Sequence, residues 1–124
     1  MTVRRPLVAV VDDDESARES LPDLVRELGY GARAFASAEE FLAFDGIANT
    51  GCLILDVAMP GMSGPDLQQE LALRGHAIPI IFITALTDKG LASALLQRGA
   101  VAYLNKPFSE QELRLALAKA LPVV

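Results

Sequence analysis

Five short apolar runs alternate along this chain with amphipathic segments, and this alternation constrains the fold more than any other feature. A run of about four to six aliphatic residues is typical of a strand buried on both faces, as in a parallel sheet. Apolar residues at helical spacing follow the runs, as expected of crossover helices. The sequence therefore predicts an α/β fold of five βα units around a parallel sheet. The predicted strands cover residues 7–12, 31–35, 52–56, 80–84 and 102–104.

Local signals set the expected ends of the helices. Ser37–Glu40 and Ser109–Glu112 have the spacing of capping boxes, and Pro65 suits the first position of a helix. Pro22 lies inside the first helix and removes the hydrogen bond to the Arg18 carbonyl, so we expect a kink or an irregular turn there. The first predicted helix ends at Gly29. The other four run from Ser37 through Phe44, from Pro65 to near Gly75, from a cap at Asp88 to Arg98, and from Leu113 to Leu121. A loop is predicted over residues 45–51.

Length and charge exclude several classes of function. The 124 residues have room for one domain, so we expect residues 1–124 to form a single unit and any further module to lie elsewhere. With 11 basic and 16 acidic residues the net charge is −5, which is not the basic footprint of a nucleic-acid-binding domain. No apolar run approaches the roughly 18 residues of a membrane span, and residues 1–6 lack the order of a signal peptide. Cys52, the only cysteine, lies in an apolar run and is expected to pack in the core, which fits a reducing compartment. We therefore expect a soluble cytoplasmic domain that binds neither membrane nor nucleic acid.

Acidic residues stand at the ends of two of the apolar runs. Asp12 and Asp13 follow the first run, and Asp56 follows the third. Ligands of open α/β sheets bind beyond the carboxyl ends of the strands. Two unit charges about 4 Å apart repel by roughly 4 kcal/mol at an effective dielectric near 20, so such a cluster needs a positive partner. A hard divalent cation with oxygen ligands is the natural candidate, and the sequence predicts a metal and phosphate site.

Two further polar residues follow the fourth and fifth predicted strands, namely Thr84 and Lys106. If the strand order is 2-1-3-4-5, the doubly wound order of flavodoxin and CheY, all five polar side chains converge at one end of the sheet. That order is adopted from those proteins and does not follow from the spacing. Asp14 and Glu15 are expected to serve as a helix cap and a first-turn charge. His76 has no neighbours at metal-ligand spacing and is expected to face solvent in a loop.

Five segments form a specific set because they occur in this order and at these spacings: Val10–Asp14, Leu55–Val57, Met59–Gly64, Thr84–Ala85 and Lys106–Phe108. Taken singly, each polar residue has a simpler explanation as a turn cap, a strand-end hydroxyl or a solvated charge. Taken together, the segments resemble the receiver domain of two-component response regulators, and they are most similar to FixJ-type receivers. The resemblance covers essentially the whole chain.

The resemblance implies a phosphoacceptor. Asp56 would accept a phosphoryl group from a phosphohistidine on a sensor histidine kinase. Mg²⁺ would be held by Asp13, Asp56 and the backbone carbonyl of Ala58, while Asp12 would assist directly or through a metal-bound water. The residue types suit this chemistry, because phosphoryl transfer depends mainly on positioning and on neutralising charge.

The remaining site residues would contact the phosphoryl group or report on it. Lys106 supplies a compact positive charge for one phosphoryl oxygen, and the hydroxyl of Thr84 can donate to another. Tyr103 matches the aromatic position that in this family moves between exposed and buried rotamers as Thr84 approaches the phosphate. The simpler alternative is that Tyr103 is a half-buried core aromatic. The resemblance also implies a cis peptide bond before Pro107.

Two positions depart from the family pattern. Ala58 replaces a larger residue, but this position is expected to contribute only its backbone carbonyl, so magnesium binding should survive. The smaller side chain should widen access to Asp56 and change dephosphorylation. Leu86–Gly90 differs from the His-Gly-Asp pattern of FixJ-type relatives. Because this segment borders the switching face, it bears on how output is coupled.

The leading interpretation is a phosphoacceptor signalling module that catalyses its own phosphorylation and is not a turnover enzyme. Its partners would be a sensor histidine kinase and an output domain or partner protein, and the sequence leaves open whether homodimerisation follows phosphorylation. One alternative is an interaction domain that works without phosphorylation. Another is a magnesium-dependent phosphatase acting through Asp56, although the sequence offers neither a second carboxylate as general acid nor a cap domain.

Overall fold

The sheet has the predicted strand order. The computed structural model describes residues 6–85 and 89–121, and its five strands form one parallel sheet in the order β2-β1-β3-β4-β5. The doubly wound α/β fold expected from the sequence is therefore confirmed. The strands are β1 (Leu7–Val11), β2 (Gly31–Phe35), β3 (Thr50–Asp56), β4 (Ile80–Thr84) and β5 (Ala102–Asn105).

Helices cover both faces of the sheet. One core, beneath α1 and α5, contains Val8 and Val10 of β1, and the other, beneath α2, α3 and α4, contains Ala9 and Val11. Successive residues of a strand point to opposite faces, so burial on both faces explains the continuous apolar runs. The helices are α1 (Glu15–Glu27), α2 (Ala38–Leu42), α3 (Gly64–Leu73), α4 (Lys89–Gln97) and α5 (Glu110–Ala120), with a short 3-10 helix at Ile47–Asn49.

The predicted loop over residues 45–51 was wrong. It contains the 3-10 helix, and β3 begins at Thr50, two residues earlier than expected. Thr50 pairs with Leu7 of β1 and donates its hydroxyl to the carbonyl of Gly46 at 3.1 Å. Sheet pairing and this bond therefore extend the strand into a polar stretch that no apolar pattern marks.

The first helix is more regular than its proline suggested. α1 continues through Pro22 without a break, so of the two expected alternatives, a kink or an irregular turn, the irregular turn is wrong. Pro22 is buried beside Leu21 and Val25 on the face that meets the sheet. This packing stabilises the uninterrupted helix and compensates for the hydrogen bond that proline cannot donate. At the start of the helix, the Asp14 side chain accepts a hydrogen bond from the Ser16 amide, which confirms the predicted cap.

The two predicted capping boxes differ in outcome. Ser109 and Glu112 form both reciprocal bonds at the start of α5. At α2, Ser37 accepts from the Glu40 amide, but the Glu40 carboxylate accepts from the Ala36 amide instead of closing the box. That helix ends at Leu42 rather than at Phe44.

Two predictions on the segment before α4 concern residues outside the described ranges. These are the cap at Asp88 and most of the Leu86–Gly90 segment, which differs from the FixJ-type pattern. Within residues 6–85 and 89–121, no helix has the length and apolar character needed to cross a membrane.

Candidate functional site

Three carboxylates meet at the carboxyl ends of two neighbouring strands. β1 pairs with β3 so that Val11 lies opposite Leu55, and the residues that follow are Asp12, Asp13 and Asp56. One ligand oxygen from each of the three carboxylates lies within 4.8 Å of the others. Asp12 and Asp56 are buried whereas Asp13 is exposed, so the cluster opens to solvent on one side.

Asp12 is held from three directions. The Lys106 ammonium lies 2.7 Å from one carboxylate oxygen, and the Asp14 amide donates to the other at 2.9 Å. The Arg18 guanidinium donates to the Asp12 backbone carbonyl at 3.0 Å. Sequence reasoning missed Arg18, since a contact between a helix residue and a strand-end carbonyl leaves no periodic signal.

The other predicted site residues lie on the neighbouring strands. Thr84 ends β4 and is buried, and its carbonyl accepts a hydrogen bond from the Lys106 amide at 2.8 Å. Tyr103 on β5 is half-buried and packs against the core beneath α2, α3 and α4. The Lys106–Pro107 peptide bond is cis, as the resemblance implied. The fold thus gathers the polar ends of β1, β3, β4 and β5 at one edge.

Electrostatics at the cluster favour a bound cation. Burial, followed by the charge of Asp12, raises the pKa of Asp56 to about 7, although Lys106 opposes the change. Burial lowers the pKa of Lys106, but its hydrogen bond to Asp12 and the nearby carboxylate charges outweigh this and raise that pKa overall. One lysine therefore does not fully offset the acidic cluster. Three carboxylates with an open side fit a hard divalent cation such as Mg²⁺, which binds oxygen and retains several waters.

The loop after Asp56 is tightly folded and contains Ala58, which is exposed. The Gly64 amide donates to the Val57 carbonyl at 2.9 Å and closes the base of the loop. A Cβ at Gly64 would overlap the Asp56 carbonyl oxygen, so only glycine permits this close approach. The α3 helix begins here with a Ser63 capping box that sequence reasoning did not identify.

Residues expected to be uninvolved lie away from the cluster or serve the fold. Cys52 is fully buried, and burial raises the pKa of its thiol to about 12, as expected of a core residue. His76 lies in the loop after α3, but it is half-buried rather than fully solvent-facing.

Comparisons with known proteins agree with this geometry. Residues 8–118 match the family described as the response regulator receiver domain. The chain is 43% identical over 121 residues to the response regulator protein TmoT of Ectopseudomonas mendocina, covering 98% of this chain and 55% of TmoT. It spans about half the length of the curated relatives it matches.

Solved structures give the same result. The response regulator StyR has a TM-score of 0.87 at 44% identity, over 94% of this chain and 59% of that one. The structure of FixJ-N has a TM-score of 0.86 at 34% identity and covers 98% of both chains. Together with the sheet order and the motifs at the strand ends, these matches show that the chain belongs to the response regulator receiver domain family.

Proposed function

We propose that this domain accepts a phosphoryl group on Asp56 from a phosphohistidine of a sensor histidine kinase. The supporting observation is the cluster of three carboxylates within 4.8 Å, with the Lys106 ammonium 2.7 Å from one of them. A carboxylate nucleophile alone would repel a phosphoryl donor. Here the three carboxylates can bind a metal cation, and the Lys106 ammonium supplies a further positive charge.

In the proposed step, an Asp56 carboxylate oxygen bonds to phosphorus as the phosphorus–nitrogen bond of the donor breaks in line with it. The freed imidazole keeps the electron pair of that bond. Asp13, Asp56 and the Ala58 carbonyl would hold Mg²⁺, with Asp12 assisting directly or through water. When bound, Mg²⁺ would neutralise charge on the phosphoryl oxygens.

Two side chains would respond to the new phosphoryl group. Lys106, whose partner at rest is Asp12, would turn to a phosphoryl oxygen, and the Thr84 hydroxyl would donate to another. Tyr103, half-buried beside β4, would change rotamer as Thr84 moves. The signalling surface would then shift between two populations.

Residues 1–124 would form one phosphoacceptor unit, and its only turnover would be the hydrolysis of its own aspartyl phosphate. Its partners would be a sensor histidine kinase and an output domain or partner protein, all acting in the cytoplasm. With a net charge of −5, this domain would not itself contact nucleic acid.

The intact mass of the protein after incubation with acetyl phosphate tests this function. Wild type should gain about 80 Da, the mass of one phosphoryl group, only in the presence of Mg²⁺. Asp56→Asn should gain nothing, because an amide is not a nucleophile of comparable strength.

Equal labelling of wild type and Asp56→Asn would reject Asp56 as the acceptor. Absence of any adduct, together with no change in intrinsic tyrosine fluorescence on adding beryllofluoride, would favour an interaction domain that works without phosphorylation. Sustained turnover of a phosphoester, far above the rate of self-dephosphorylation, would favour a phosphatase.

A further inference from the structure

A side chain from α2 holds the tip of the loop that follows Asp56. The Glu39 carboxylate accepts a hydrogen bond from the Met62 amide at 3.3 Å, across 23 residues of sequence. At the preceding residue, Gly61, a Cβ would stand 2.8 Å from the same carboxylate oxygen. Gly61 also has a φ of +74°, which favours glycine. The loop is therefore folded directly against Glu39 at two consecutive residues.

This contact complements the closure at the base of the loop. There the Gly64 amide bonds to the Val57 carbonyl at 2.9 Å and fixes where the loop leaves and rejoins the fold. Ala58 lies between the fixed base and the Glu39 contact. The direction of the Ala58 carbonyl depends on the whole loop, so a tether at the tip restricts it.

We propose that Glu39 is a positioning residue for the cation site, because it holds the loop in the conformation that lets the Ala58 carbonyl reach the cation. This inference rests on the proposed function, in which that carbonyl is a ligand. If the tether is lost, the loop samples other conformations. The apparent affinity for Mg²⁺ then falls in proportion to the competent fraction.

The neighbouring Glu40 provides a matched control. Both glutamates lie in the first turn of α2, carry the same charge and are exposed. The Glu40 carboxylate accepts from the Ala36 amide at 3.4 Å, which is not part of the loop. Replacing either residue by alanine thus removes one negative charge and one backbone hydrogen bond, but only the change at Glu39 frees the loop.

The test is a titration of the ¹⁵N-labelled, unphosphorylated protein with MgCl₂, followed through its amide signals. Glu39→Ala should bind Mg²⁺ about three- to tenfold more weakly than wild type, the range that one hydrogen bond supports. Glu39→Gln should restore the affinity to within about twofold, since its amide oxygen can accept from the Met62 amide. Glu40→Ala should also remain within about twofold of wild type.

Two results would overturn the inference. The first is equal Mg²⁺ affinity in Glu39→Ala and Glu40→Ala, which would show that the tether does not act on the site. The second is Glu39→Gln binding as weakly as Glu39→Ala, which would assign the effect to charge rather than to the hydrogen bond.

A failure of the cation site on which the proposed function depends gives a different result, namely a wild type that does not bind Mg²⁺ at all. Hydrogen exchange of the Met62 amide without metal then tests the tether by itself. Glu39→Ala should exchange this amide about three- to tenfold faster than Glu40→Ala does. Equal exchange in the two variants would refute the tether independently of the metal.

Discussion

At the scale of single residues, the ion pair between Lys106 and Asp12 joins a partly exposed cation to a fully buried carboxylate. Asp12 is fully buried, so removing its partner leaves a buried charge with less compensation. Lys106 retains 27% side-chain exposure, and solvent therefore weakens the effect. We expect Lys106→Ala to lower the free energy of unfolding by about 2 kcal/mol, below the loss seen for wholly buried pairs.

Urea unfolding measures this loss, and Lys119→Ala in the exposed last turn of α5 is the control.

Because Lys106 would contact the phosphoryl group and not the cation, Lys106→Ala should keep its affinity for Mg²⁺. A variant whose main defect is lost Mg²⁺ binding would contradict this division of roles.

Asp56 gives the opposite sign of effect. Its pKa is about 7 in the folded domain against an ordinary value of 3.8, so between these values the folded state binds more protons than the unfolded state. The free energy of unfolding therefore decreases as the pH rises through this window. Without metal, Asp56→Asn should be more stable than wild type by about 1–3 kcal/mol near pH 8, after allowance for solvent screening.

Urea unfolding in the presence of a chelator, at about pH 8 and at about pH 4, checks this prediction. The advantage of Asp56→Asn should nearly disappear at the lower pH, where the wild-type carboxyl is protonated. An equal advantage at both pH values would indicate a packing effect instead of relief of charge.

At the scale of elements, the start of α3 is fixed by a close backbone approach. A Cβ at Gly64 would overlap the Asp56 carbonyl oxygen and stand 3.0 Å from the Val57 Cα. We expect Gly64→Ala to cost about 3 kcal/mol of stability, because the two nearest atoms belong to the backbone and cannot move aside as a flexible side chain can. Thermal unfolding measures the loss.

Gly75, which follows the same helix, is the comparison. It has a φ of +79° but open space around it, so Gly75→Ala should cost only about 1 kcal/mol of backbone strain. Similar losses at the two positions would indicate that α3 shifts to accommodate the methyl group at Gly64.

The elements also show what the sequence can predict. β4 was predicted with the bounds that it has, because a continuous apolar run marks it. β2 also has its predicted bounds, although its apolar pattern is weaker. The early start of β3 at Thr50 depends on pairing with β1, which no local pattern reveals. The polar residues at the strand ends were expected to converge because parallel strands end at a common edge, once the strand order of flavodoxin and CheY was adopted. By contrast, the contacts of Arg18 and Glu39 join separate segments and leave no signal in spacing.

At the scale of the whole molecule, the central sheet links two cores, and Cys52 reports on their joint opening. Cys52 lies on β3, between neighbouring strands, and is fully buried. A thiol reagent should therefore modify it at a rate set by global unfolding. Mg²⁺ binding to the folded state should slow the modification by the same factor as it stabilises the fold.

The measurement is the rate of Cys52 modification without denaturant, with and without Mg²⁺, in wild type and Asp13→Asn. The variant loses an exposed carboxylate of the cluster, so Mg²⁺ should protect it much less. Fast modification of wild type, unaffected by Mg²⁺, would mean that β3 is reached by local opening.

The ion pair between Asp12 and Lys106 also has a consequence for synthesis on the ribosome. Its partners are 94 residues apart, and β5 is the last of the five strands of this sheet to be made and lies at an edge of the sheet. A nascent chain can therefore pair its first four strands while Asp12 still lacks its lysine. The acidic pocket becomes electrostatically complete only when Lys106 has left the exit tunnel, after all five strands of the sheet have been made.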